Sequence, residues 1–210
     1  MPRLVLASAS LARRETLVRA GVLPQVIVSA VDEDTVVARY GVAAAPDVAL
    51  VLARAKAEAV AGLDEVPDDA VVLGCDSVLE LNGQVHGKPA DAEQARARWQ
   101  AMRGGTGVLH TGHWLVDCRD GGSGATIGAV AATVVHFARI SDAEIDAYLA
   151  TGEPLQVSGG FTIDALGGAF VTGVEGDHHN VVGLSLPLLR DLLADVGIRW
   201  TDLWHPTQVS

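Results

Sequence analysis

The chain has 210 residues, 49% of them hydrophobic and 20% charged, and its 26 acids against 15 lysines and arginines leave a formal charge of -11. A chain of this size buries roughly 70% of its unfolded surface in one compact unit, and its apolar content excludes intrinsic disorder. Its acidity excludes a general partner of nucleic-acid polymers or anionic membranes, which would need a broad basic face. Any phosphate chemistry therefore rests on a few local cations. The two cysteines, Cys75 and Cys118, are too few for a disulfide scaffold, and no Cys or His spacing suggests zinc. Met1–Ser10 lacks the basic segment and long apolar stretch of a secretory signal. The uncharged run Gly121–Ala138 just reaches the length of a membrane span, but it is diluted by Gly, Ala and Thr and rich in β-branched residues, so it reads as a buried strand. These features predict a soluble, cytoplasmic protein, one domain over residues 1–210, with no membrane partner.

In chain order, Leu4–Ala7 reads as a strand, followed by a helix with Ser10 at its N-cap, Leu11, Leu17 and Val18 on its core face and Gly21 at its end. Val26–Ser29 is a second strand running into an acidic loop, Asp32-Glu33-Asp34. Asp47 opens a helix with Val48, Val51, Leu52, Ala55 and Ala59 at helical spacing. Ala70–Cys75 is an apolar strand broken by Asp76, and Val78–Val85 a hairpin closed by Asn82-Gly83. Asp91 with Gln94 starts a helix ending near Met102; Gly107–Cys118 and Ala125–Ala138 are long strands; Ser141 and Glu144 form a capping box. A Gly-rich stretch, Ser158–Gly168, precedes a strand over Ala169–Val174 and a last amphipathic helix after Pro187. Alternating strands and helices of this kind predict an α/β fold.

The residues able to carry chemistry are scattered. Ser8 and Ser10 sit at a strand-to-helix corner, where free N–H groups and the helix dipole favour an anion, and Arg13 one turn in could add a bidentate phosphate contact. Asp76 follows an apolar strand, where ligands of open α/β sheets gather. Glu33 offers oxygen of the kind Mg²⁺ prefers. Lys56 lies at the edge of an apolar helical stripe, and Lys88 in Gly87-Lys88-Pro89. Each alone has a plainer explanation: a cap, a turn acid, a solvated loop, a snorkelling lysine. His178 and His179, being adjacent, are expected to point differently; Asp177 reads as a turn residue, and no Gly-x-Ser-x-Gly elbow supports a serine hydrolase.

Together, however, Leu6-Ala7-Ser8-Ala9-Ser10 with Arg13, Val31-Asp32-Glu33, Ala55-Lys56-Ala57, Gly74-Cys75-Asp76-Ser77, Gly87-Lys88-Pro89 and Asn180-Val181-Val182-Gly183-Leu184 resemble, in order and over essentially the whole chain, the Maf family of septum-associated nucleoside triphosphate pyrophosphatases. Gly159-Gly160-Phe161-Thr162 and Gly183-Leu184-Ser185-Leu186-Pro187 are similar to its actinobacterial branch. The resemblance implies a two-lobed α/β fold with a mixed sheet and a central cleft, like the inosine-triphosphate pyrophosphatases, and a homodimer. It implies cleavage of a nucleoside triphosphate to the monophosphate and pyrophosphate with a divalent metal, Mg²⁺ or Mn²⁺. In that frame Asp76 is the proton acceptor, Glu33 its acidic partner and fellow metal ligand, and Ser8, Ser10, Arg13, Lys56 and Lys88 the polar set around the phosphates. Three positions linked to substrate choice depart from the family pattern: Ala12 stands where the first arginine of Ser-Pro-Arg-Arg is usual, Ser77 in place of Thr, and Asp164 in place of a Gln. The resemblance thus leaves dTTP, UTP or a modified nucleotide as the substrate, with a 7-methyl-GTP-type purine or a weakly catalytic nucleotide sensor of cell division as alternatives.

Overall fold

The computed structural model describes residues 2–205. Its strands are β1 (Arg3–Leu6), β2 (Gln25–Val26), β3 (Ala70–Leu81), β4 (Gln84–His86), β5 (Thr106–Asp117), β6 (Thr126–Phe137) and β7 (Val171–Glu175). They form one mixed seven-stranded sheet in the order β2-β1-β3-β5-β6-β7, with β4 paired to β3. The helices are α1 (Leu11–Arg19), α2 (Glu33–Tyr40), α3 (Ala45–Ala61), α4 (Ala92–Met102), α5 (Asp142–Ala150), α6 (His178–Val182) and α7 (Leu186–Asp195). Ser10, Asp91, Ser141 and Ser185 each cap a helix by accepting a backbone N–H three residues on, so the starts of α1, α4, α5 and α7 are set locally. At Asn82-Gly83 both φ angles are positive (52° and 76°), as a two-residue hairpin turn requires.

Strand alternation divides the core. Ala70 and Val72 of β3 pack with Ala57 and Val60 of α3 on one face. Val71, Leu73 and Cys75 pack on the other with Leu17 of α1 and with Leu189, Leu192 and Leu193 of α7. Further along, Leu79 and Leu81 join Trp99, Phe137, Ile145 and Tyr148 in a cluster where Trp99 meets Phe137, Tyr148 and Phe170 edge-on. Helix α3 lies very close to the sheet because two strand positions under it carry no side chain. A Cβ on Gly74 would sit 2.1 Å from the Ala53 carbonyl oxygen, and one on Gly112 2.2 Å from that of Ala49.

Several sequence expectations change. Asp76 does not break its strand: β3 runs through it to Leu81, since its side chain leaves on the α3 face while the backbone stays paired, Asp76 opposite Gly112. The acidic triplet is not a loop, because Asp32 caps α2, accepting from Thr35 N at 3.1 Å, and Glu33 is its first residue. Beyond that cap the helix has no apolar stripe to announce it, because none of its residues is buried and its valines meet α3 only partly. Leu11 is 73% exposed, and Thr16 joins Leu17 on the buried face of α1 instead. The uncharged run Gly121–Ala138 contains β6, and no single described helix is long and apolar enough to cross a membrane.

Candidate active site

One edge of β3 is incompletely paired. β1 runs parallel to it only as far as Leu6 opposite Leu73, with a last bond from Ala7 N to the Leu73 carbonyl at 2.8 Å. β4 pairs with it only from Leu79, opposite His86. Between them Gly74–Val78 has no ladder partner on this edge among the described residues, while β5 covers the other edge of the same stretch. Ser8 leaves β1 at one end of this gap, and Lys88, two residues past His86, leaves β4 at the other. Asp76 is at its centre.

Asp76 shares a face with Gly74, so it points toward α3, where Lys56 waits. The Lys56 ammonium lies 2.5 Å from Asp76 Oδ1 and 2.6 Å from Glu33 Oε1. Side chains of Lys56 and Asp76 are nearly buried, whereas Glu33 is half exposed at the mouth. Burial raises the Asp76 pKa, and the Glu33 charge adds to this, while Lys56 and Arg13 pull the other way. The Cys75 thiol, fully buried next to it, is pushed up to about 12 by the same desolvation and is inert.

Arg13 reaches the gap from the opposite face. Its guanidinium donates to Gly183 O (2.7 Å), Cys75 O (2.9 Å), Ser8 Oγ (3.1 Å) and Ser77 Oγ (3.0 Å). It thus ties α1, β3 and the end of α6 together, and most of its fork is spent within the protein. Ser8 Oγ also accepts from Ser10 N at 3.2 Å, and Ser10 Oγ accepts from Arg13 N as the cap of α1. Ser77 Oγ bonds to Thr111 Oγ1 at 2.9 Å, and Thr111 donates to the Asn180 carbonyl at 3.1 Å. His113 holds the next turn: its Nε2 accepts from Ser185 N at 2.8 Å and its Nδ1 faces Thr111 O at 3.0 Å. Thr111 and His113 carried no local signal of this role, and Asn180 was marked only as part of the family motif, since their partners lie far away in sequence. Gly74 and Gly112 did carry a signal, since a glycine inside a strand often marks a close backbone approach.

The structure therefore brings Glu33, Lys56 and Asp76 into direct contact, and Ser8, Ser10, Arg13 and Ser77 into one network behind them. Lys88 is exposed at the rim and makes no hydrogen bond or ion pair among the described residues. Ala12 is half-buried on α1, and Asp164 is exposed on the segment after Phe161, bonded to none of these groups. His178 and His179 do not point apart: their rings stack with centroids 3.8 Å apart, and each with Asp177 offers a ligand atom within 4.8 Å of the others. Asp177 is the N-cap of α6, accepting from His179 N, rather than a simple turn residue. For a divalent cation, Glu33 and Asp76 fit by chemistry. Both present carboxylate oxygens to one point, now taken by an ammonium, and an all-oxygen set suits a hard ion such as Mg²⁺.

Fold and site together define a mixed α/β protein with two acids and a buried lysine gathered at an unpaired stretch of its central strand. The family model of Maf-like proteins matches residues 3–196. A nucleoside triphosphate pyrophosphatase of Leifsonia xyli subsp. xyli is 52% identical, with 99% of each chain covered. One from Streptomyces coelicolor is 54% identical over 98% of this chain and 96% of its own. A solved nucleoside-triphosphatase, a dITP/XTP pyrophosphatase from Mycobacterium abscessus, aligns with 66% of this chain and 75% of its own, at 15% identity and a TM-score of 0.35. This chain belongs to the Maf family.

Proposed function

We propose that the protein is a nucleoside triphosphate pyrophosphatase, a hydrolase of acid anhydrides that cuts dTTP, UTP or a modified nucleotide between the α and β phosphates. The supporting observation is the contact of Asp76, Lys56 and Glu33 in the gap of β3. Asp76 Oδ1 is held by Lys56, which leaves Oδ2 to accept the proton of the attacking water. Burial makes this carboxylate a better base than an exposed one, and the lysine keeps it ionised. Glu33 and Asp76 are the residues that would hold Mg²⁺ or Mn²⁺; such an ion, when bound, neutralises phosphate charge and polarises the scissile phosphorus. Lys56, beside the carboxylates, and Lys88 at the rim would face charge developing on the phosphoryl oxygens. Arg13 acts chiefly by bracing Ser8 and Ser77 beside that charge.

Pyrophosphate release from a panel of dTTP, UTP and 7-methyl-GTP with Mg²⁺ or Mn²⁺ tests the proposal and ranks the bases. In the Asp76→Asn variant the fold persists and turnover falls by about two orders of magnitude or more, the usual cost of losing a general base. Near-normal turnover in a folded variant would contradict the role. Nucleotide binding without release from the wild type would favour a sensor.

A further inference from the structure

Arg98 of α4 is a buried cation with no counter-charge. It is only 6% exposed, no carboxylate pairs with it among the described residues, and its buried Nε has no partner. Burial alone pulls its pKa down, with no acid pulling it back. Burying an unpaired charge is costly, so a guanidinium kept in such a place has something specific to hold. What it holds is the carbonyl of Gly87, at 2.7 Å from Nη1. The same oxygen accepts from Gly159 N at 3.1 Å.

The neighbouring bonds make the purpose legible. Trp99, the next residue of α4, donates its indole N–H to Gly160 O at 2.9 Å. Pro89 is buried close under Gly160, where an added Cβ would come 3.3 Å from its ring. Ala90 N donates to the Gln94 side chain at 2.9 Å, and Asp91 caps α4. Gly87, Pro89 and Ala90 are thus each fastened, to α4 or to the Gly159-Gly160 segment. The residue between them, Lys88, is exposed and makes no hydrogen bond or ion pair among the described residues. A charge-assisted bond to a backbone carbonyl, made by a rigid fork, fixes a loop more sharply than a neutral contact of the same reach.

We propose that Arg98 is a positioning residue: by clamping the Gly87 carbonyl against α4 and Gly159, it sets the place of Lys88 at the end of the gap in β3. The functional half of this rests on the pyrophosphatase reading, in which Lys88 meets substrate phosphate; the clamp itself does not. Two measurements separate them. Amide hydrogen exchange over residues 84–91 reads the clamp without substrate: Arg98→Met raises exchange at least tenfold, and Arg98→Lys, which still donates one bond, raises it less. Unchanged exchange in Arg98→Met overturns the proposal. The second measurement is a double-mutant cycle with Lys88→Met, reading pyrophosphate release from dTTP or whichever nucleotide the wild type cleaves fastest. Arg98→Met lowers kcat/KM about tenfold in the wild type, Arg98→Lys restores most of this, and Arg98→Met has no further effect once Lys88 is gone. Effects that multiply would overturn positioning through Lys88. A Lys88→Met variant of full activity would instead refute the assigned part of Lys88, with the clamp judged by exchange alone.

Discussion

His113 gives the molecule a dependence on pH whose sign and size follow from its surroundings. The ring is fully buried, and its pKa falls from 6.5 to about 4, chiefly by desolvation. The bond to Thr111 O and the Asp177 charge oppose the shift, while the Arg13 charge adds to it. Protonation would also place a donor at Nε2, against the Ser185 N–H that now donates there at 2.8 Å. The unfolded chain takes up this proton as pH drops below 6.5, while the native one refuses it until about 4. Native stability therefore falls as pH falls through that window, by about 3 kcal/mol in all, because each pH unit between the two values is worth about 1.4 kcal/mol. His113→Gln keeps an acceptor for Ser185 N but does not titrate. Urea unfolding followed by tryptophan fluorescence at pH 7.5 and 4.5 gives both stabilities. The wild type should lose about 2–3 kcal/mol more than the variant between these conditions. If the two lose stability in parallel, His113 is not held neutral and the reasoning fails.

Gly112→Ala places a Cβ 2.2 Å from the Ala49 carbonyl oxygen, so α3 must move away. Overpacking of this kind costs about 1–3 kcal/mol or more, read as a lower urea midpoint, and activity drops with it because α3 carries Lys56. Arg13→Lys keeps the charge but loses the fork that holds Gly183, Cys75, Ser8 and Ser77. It should lower kcat/KM for pyrophosphate release by about tenfold or more, equivalent to one charge-assisted bond, while circular dichroism stays native. The Asp117 carboxylate accepts from the Arg119 fork and from Ser123 N and Oγ, and these bonds hold its pKa below the usual carboxylate range. Asp117→Asn should destabilise by about 3 kcal/mol at pH 7, and the gap to wild type should close as acid protonates Asp117. A gap that persists unchanged to pH 2 would show the anchor does not depend on charge.

Much of the fold is visible in local chemistry. Ser10, Asp91 and the Ser141–Glu144 box announce helix starts, Asn82-Gly83 a tight hairpin, and the uncharged run before Ala138 a long strand. These signals are legible because a cap or turn is satisfied within three or four residues of its own sequence. Helix α2 has its local cap too, Asp32 accepting from Thr35 N, but it turns no buried stripe inward to mark it as a helix. Asp76 misled for a related reason: an acid in an apolar run looks like an interruption when the lysine that receives it is 20 residues away. Of the site, the residue types and their order were readable through the family resemblance. The brace behind them, Arg13 to Gly183 across 170 positions and Thr111 to Asn180 across 69, was not.

By itself the sequence determined an acidic α/β chain, its helix caps and turns, and a set of polar residues each with an ordinary explanation. Only the folded chain decided that β1 stops and β4 starts so as to leave Gly74–Val78 open, with a lysine between two acids on one face and an arginine brace on the other. The physical reason is one of range. Caps and turns are short hydrogen-bonded circuits, whereas a buried charge is stable only beside partners that long loops of chain must bring to it.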